Sequence, residues 1–238
     1  MFEITKREII ASISIIAVML LIGILISGKI TESHLDQVEK YNKAAKITDQ
    51  ELFEYGMRTN VGNALVYGEL IAADTVTYPE IGGEYMSVEK LEEHYTMHTR
   101  TYTTTDSDGN TEEHTETYWT WDKVDSWSKH CEKVTFLGVQ FDYGQIYTPH
   151  ENHIDTQKES YYVRYVYYGS PIKYTGTMFA NLKDNKIVDV KFYNGSDLEK
   201  TMKGVESNIG VIFFWIAWIM LIIVCIYGFY RLENNWLE

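Results

Sequence analysis

The chain has 238 residues, in which 34 acidic side chains face 21 basic ones, for a net charge of −13. No local Lys/Arg cluster offsets that balance, so a phosphate backbone would be repelled and nucleic acid is not expected as a partner. Only two cysteines occur, and Cys225 lies inside an apolar run, which leaves Cys131 without an intradomain disulfide partner or a thiolate metal set.

After a short tail (residues 1–8), residues 9–27 (IIASISIIAVMLLIGILIS) form an uncharged run behind Lys6 and Arg7. It approaches the ~20 apolar residues a helix needs to cross the ~30 Å hydrocarbon core of a bilayer. The run is longer than a signal-peptide core of ~7–15 residues, and SGKITES lacks a small-x-small cleavage site, so an uncleaved anchor is expected. Residues 211–230 (VIFFWIAWIMLIIVCIYGFY) form the second run. Trp215 and Trp218 lie near its start and Tyr227 and Tyr230 near its end, as in interfacial aromatic belts. Neither run carries an ionisable side chain for a proton or ion pathway. Two crossings put the tails 1–8 and 231–238 on one side. Lys6 and Arg7 outside the loop, against Lys29 within it, favour cytoplasmic tails and an extracytoplasmic loop.

Residues 28–62 read as a helical stalk. Leu35, Val38, Tyr41 and Ala45 recur at helical spacing, and a second helix opens at Thr48, with Thr48 and Glu51 as a capping box and Gly62 as a stop. Such a stalk would either pack or oligomerise, or cover one face of an adjoining sheet.

From residue 63 the period changes to two. Strands are expected over 64–73, 136–147, 161–168, 174–182 and 186–193, with the last two joined by a KDNK turn. Residues 63–196 therefore form a β-rich domain, and 197–210 a helical linker into the second span. The expected fold class is α+β: two transmembrane helices flanking a mainly antiparallel β-sheet domain with N-terminal helices.

The densest stretch is LEEHYTMHTRTYTTTDSDGNTEEHTETYWTWD, residues 91–122. Asp108-Gly109 favours a tight hairpin turn. A plain two-residue loop would set Tyr95 against Asp122. Shifting the register by one pairs Tyr95 with Trp121 and Met97 with Trp119, giving one apolar and one polar face. Amphipathicity selects the shifted register and a three-residue or bulged turn. In it His94 opposes Asp122, His98 opposes Tyr118 and His114 opposes Tyr102. His94 and His98 then stand roughly 13 Å apart along the strand, too far to share one metal. Tyr95, Met97, Trp119 and Trp121 are the candidate interaction surface, either as core or as a partner-binding face.

His150, Glu151, His153 and Asp155 in TPHENHID could present two imidazoles and a carboxylate, but Pro149 and Asn152 argue for a solvated loop rather than a ligand-bearing helix. GGEY lacks GxGxxG or Walker spacing, and no nucleophile stands beside a base. No catalytic residue, cofactor or metal is expected.

The order of a membrane helix, GELIAADTV, PEIGGEY, VEKLEEHY and TYTTTDSDGNTEEHTETYWTWD resembles the luminal domain of LUMA-type transmembrane proteins. RYVYYGSPIKYTGTMFANLKDNKIV is similar to the later part of that pattern, and the two-span layout is shared with GIDE-type membrane ubiquitin ligases. Only residues 231–238 follow the second span and no Cys/His zinc pattern occurs, so ligase activity is not implied. The resemblance implies a non-enzymatic scaffold or interaction domain on the extracytoplasmic side. Its expected partners are the lipid bilayer and a membrane or envelope protein, with homo-oligomers included. Alternatives are a subunit of an oligomeric two-span channel, or a phage or mobile-element envelope protein that interferes with infection.

Overall fold

A computed structural model describes residues 6–105, 109–148 and 152–236. The chain divides into two compact units, Met1–Ala44 with Glu199–Glu238, and Ala45–Leu198.

The first unit is built on two long helices, α1 (Lys6–Asn42) and α4 (Ile209–Trp236), with the short α3 (Leu198–Glu206) ahead of α4. Both long helices are long and apolar enough to span a membrane. Their apolar side chains point outward; Leu25 is 72% exposed and Phe213 66%. The helices run antiparallel and are pinned by polar contacts. The Trp218 indole donates to the Met19 carbonyl (2.9 Å), the Trp215 indole to Ser27 Oγ (3.2 Å), and Ser12 Oγ to Tyr230 Oη (3.1 Å). Gly23 is required at this crossing, because a Cβ there would stand 2.5 Å from the Trp218 ring nitrogen.

The second unit contains two sheets. Sheet A runs β10 (Lys186–Asn194), β9 (Lys173–Lys183), β2 (Gly62–Ala72), β5 (Lys133–Phe136) and β6 (Val139–Asp142). β1 (Ala45–Ile47) pairs in parallel with β2 at Ala64–Val66, beside the Leu70–Ala72 stretch that β5 takes. Helix α2 (Gln50–Thr59) buries Phe53, Gly56 and Met57. Phe53 meets Phe136 edge to face at 6.1 Å, and Val66, Leu70, Met178 and Leu182 complete the core.

Three local expectations change. Asp49, not Thr48, caps α2 by accepting from the Leu52 amide (3.0 Å), and Asn60 in the left-handed region (φ 55°) ends it two residues before Gly62. The stalk expected over 28–62 instead divides, since 45–62 belong with the sheets and α2 covers sheet A. The strand expected over 136–147 is a hairpin: Leu137 and Gly138 (φ 48° and 81°) turn β5 into β6, and a 3-10 turn (Tyr143–Gln145) follows. The KDNK turn is observed, with Asp184 and Asn185 at φ 53° and 56° between paired Lys183 and Lys186.

Sheet B runs β4 (Thr111–His130), β3 (Ser87–Thr105), β8 (Val163–Ser170) and β7 (Asn152–Lys158). β8 pairs with β3 only as far as His94. Beyond that point β3 and β4 continue as a two-stranded arm of roughly 30 Å at strand rise. At the base of the sheet the ammonium of Lys90 is 4.3 Å from the Tyr165 ring centroid and pairs with Glu80 at 3.1 Å.

Candidate functional site

The arm follows the amphipathic register. Tyr95 pairs with Trp121, Met97 with Trp119, His98 with Tyr118, and Tyr102 with His114, out to Thr105 with Thr111. The DSDGN turn falls largely outside the described residues; Gly109 has φ 84°, a conformation glycine adopts freely. One detail differs from a regular ladder. Glu92 pairs with Asp125 but Glu93 with Lys123, so Val124 is an extra, bulged residue in β4. The bulge reverses the parity of β4, and Trp127, now opposite Lys90, falls on the other face from Trp119 and Trp121.

Tyr95, Met97, Trp119 and Trp121 share one face, as expected, and that face is not core. Met97 is 58% exposed and Trp119 46%, and Tyr95 and Trp121 are half-buried. The rings pack against one another across the ladder, Tyr95 stacked on Trp119 and tilted against Trp121. Tyr95 lies 5.1 Å from Trp121 and 5.2 Å from Trp119, and Trp119 lies 6.4 Å from Tyr162. At the inner end the guanidinium of Arg164 covers Trp121 at 4.3 Å while its Nε donates to Glu93 (2.7 Å). Arg164, Trp121, Tyr95, Trp119 and Tyr162 thus form one continuous row of contacts along this face. Stacked pairs add about 0.5–1.5 kcal/mol each beyond burial, so the row stiffens the arm's base.

The opposite face carries a polar ladder with its own stacks, His98 on Tyr118 (5.4 Å) and His114 on Tyr102 (5.5 Å). Asp122, paired in register with His94, leans to His98 instead (2.5 Å), while His94 turns to Glu92 (2.7 Å). Asp122 accepts from the hydroxyls of Thr120 (2.7 Å) and Thr96. The Thr120 hydrogen bond and then His98 hold the Asp122 carboxyl below the usual carboxylate range. Arg100 pairs with Glu116 at 2.7 Å, an exposed pair worth ~0–1 kcal/mol.

The other expected site residues do not converge. His150 and Glu151 lie outside the described residues. His153 and Asp155, expected in a loop, sit in strand β7; His153 bonds Thr156 Oγ1 (2.8 Å), and Asp155 accepts from the Thr156 amide and from Gln157. Among the described residues no three His, Cys, Asp or Glu side chains are grouped to hold a metal. Cys131 is fully buried, and burial pushes its thiol up to about 11. A cavity of about 350 Å³ is lined by Ser87 and Ser170, which are hydrogen-bonded at 3.0 Å, with Tyr143 and Ile146.

Sequence reasoning missed Tyr162 and Arg164, which complete the aromatic row. Their place depends on the pairing of Glu93 with Arg164 across about seventy residues of chain, and no local pattern encodes that register. Comparisons with protein-family models, with curated proteins and with solved structures give no match.

Proposed function

We propose that this chain is a two-pass membrane protein whose α+β unit, on the extracytoplasmic side, works as a non-enzymatic scaffold for protein–protein interaction through the projecting arm. The carrying observation is the arm itself. Its aromatic row is held rigid by stacking and ion pairing, yet Met97 and Trp119 stay open to solvent. A prepaid, rigid aromatic surface loses little entropy on binding, which favours a recognition role. Lipid covers the outward apolar side chains of α1 and α4, since a water-facing apolar surface of that size is not sustained in a soluble chain. The lysine and arginine flanking the first span favour tails in the cytoplasm. The LUMA-type resemblance points to the same placement.

The test is native electrophoresis of membranes extracted in mild detergent. The full chain is compared with a variant in which residues 96–120 are replaced by a short turn, leaving the two sheets closed. The proposal expects the full chain in an assembly and the armless variant at a smaller mass. Identical migration of the two, with both folded, would exclude the arm as an interaction element.

A further inference from the structure

The two outer edges of the arm are not alike. β4 carries Glu112, Glu113, Glu116, Asp122, Lys123 and Asp125 and the bulge at Val124. Charges and bulges are the devices that keep an edge strand from pairing. The β3 edge from Thr96 to Thr105 (TMHTRTYTTT) has one fixed charge, Arg100, no proline and no bulge, and six of its ten residues are threonines. Threonine and tyrosine favour strands.

This edge is also open for hydrogen bonding. Within β3 the Tyr95 amide donates to the Tyr162 carbonyl (2.8 Å), on the side away from β4. Backbone groups alternate direction along a strand, so the N–H and C=O of Met97, Thr99, Thr101 and Thr103 point away from β4. Among the described residues no strand lies there, because β8 stops pairing at His94.

Resting on the interaction role proposed above, we propose that the β3 edge pairs antiparallel with the same edge of a second copy of this chain, joining two arms into a four-stranded sheet centred on Thr101. Side-chain chemistry selects both occupant and register. A two-fold pairing must keep each face continuous, so only residues of equal parity meet. Centring on Arg100 would oppose two guanidinium groups, and centring on Thr99 would set Arg100 against His98. Centring on Thr101 overlaps the edge from Met97 to Thr105, places each Arg100 beside the other copy's Tyr102, and pairs threonine with threonine at 101 and at 99 with 103. Cross-strand pairs of these kinds are favourable. The acids of β4 remain on the outside of the joined sheet.

The full chain, purified in detergent, is measured by light scattering corrected for bound detergent. The expected mass is a dimer. Thr99→Lys with Thr101→Lys, or Thr101→Pro alone, halves it while circular dichroism is unchanged. In a Cys225→Ser background, a short thiol crosslinker joins copies carrying Thr101→Cys. It does not join copies carrying Thr115→Cys, whose side chains lie three strand spacings apart, roughly 14 Å. A monomer, or a dimer indifferent to these substitutions, overturns the proposal. So does crosslinking at 115 with none at 101. If the purified chain is monomeric while the native assembly still depends on the arm, the second copy is wrong as occupant and the interaction role stands. If the armless variant also migrates unchanged, both fail.

Discussion

Sheet A and the arm answer the same alternating sequence in opposite ways. In sheet A the inward positions of β2, β5 and β9 meet α2, and Phe53, Phe136 and Leu182 are fully buried. In the arm Tyr95, Met97, Trp119 and Trp121 alternate just as cleanly, yet they stand on an open face and are held by stacking across one ladder. Alternation thus identifies a strand and its two faces, but not what lies against them. A region stabilised by a core should fail globally when cut, and a region stabilised by cross-strand pairs should fail locally.

The largest expected effect is in the core. Phe53→Ala removes a ring packed against Phe136 and Phe141 and costs about 3–5 kcal/mol, seen as a large drop in the melting temperature of the whole α+β unit. Asp49→Ala leaves the start of α2 without its cap and costs about 1 kcal/mol by chemical denaturation, with Asp49→Asn restoring most of it. Trp119→Ala in the arm costs the global fold less still. It removes stacking of about 0.5–1.5 kcal/mol from the arm, and its signature is faster amide exchange confined to residues 96–120. A global loss as large as that of Phe53→Ala would erase the contrast between the two regions.

The smallest effect is on acidification. Asp122 is more acidic in the folded arm than in the unfolded chain, because Thr120 and His98 favour its ionised form. Its contribution is therefore present above the unfolded carboxylate value, about 4, and is lost as pH falls through the lowered folded value. Tryptophan fluorescence of the arm should hold steady from neutral pH to about 4 and change below it. Asp122→Asn should remove that step while leaving the sheet A signal intact.

Much of this architecture is legible in the sequence because its causes are local. The two apolar runs declare themselves by length, the KDNK turn by residues that tolerate positive φ, and the arm register by the demand for one apolar face. Other features are hidden for equally physical reasons. Leu137 carries no turn signal, and its φ of 48° is imposed by the β5–β6 pairing with Gly138 beside it. The bulge at Val124 moves Trp127 off the face that parity assigns to it. The contribution of Tyr162 and Arg164 to the aromatic row is a long-range matter of which strand β3 meets. The exposure of that row was open in the sequence, since a half-covered strand and an uncovered one read alike.

The central claim is that the open face of the arm meets another protein chain. Replacing Met97, at the middle of that face, with a photo-crosslinking amino acid in the full chain and irradiating native membranes tests it directly. The account predicts a discrete protein adduct at this position, absent when the crosslinker replaces Val188 on sheet A and lost in a Trp119→Ala background. Irradiation that yields no adduct at 97 beyond that at 188, in a chain shown to be folded and inserted, would contradict it.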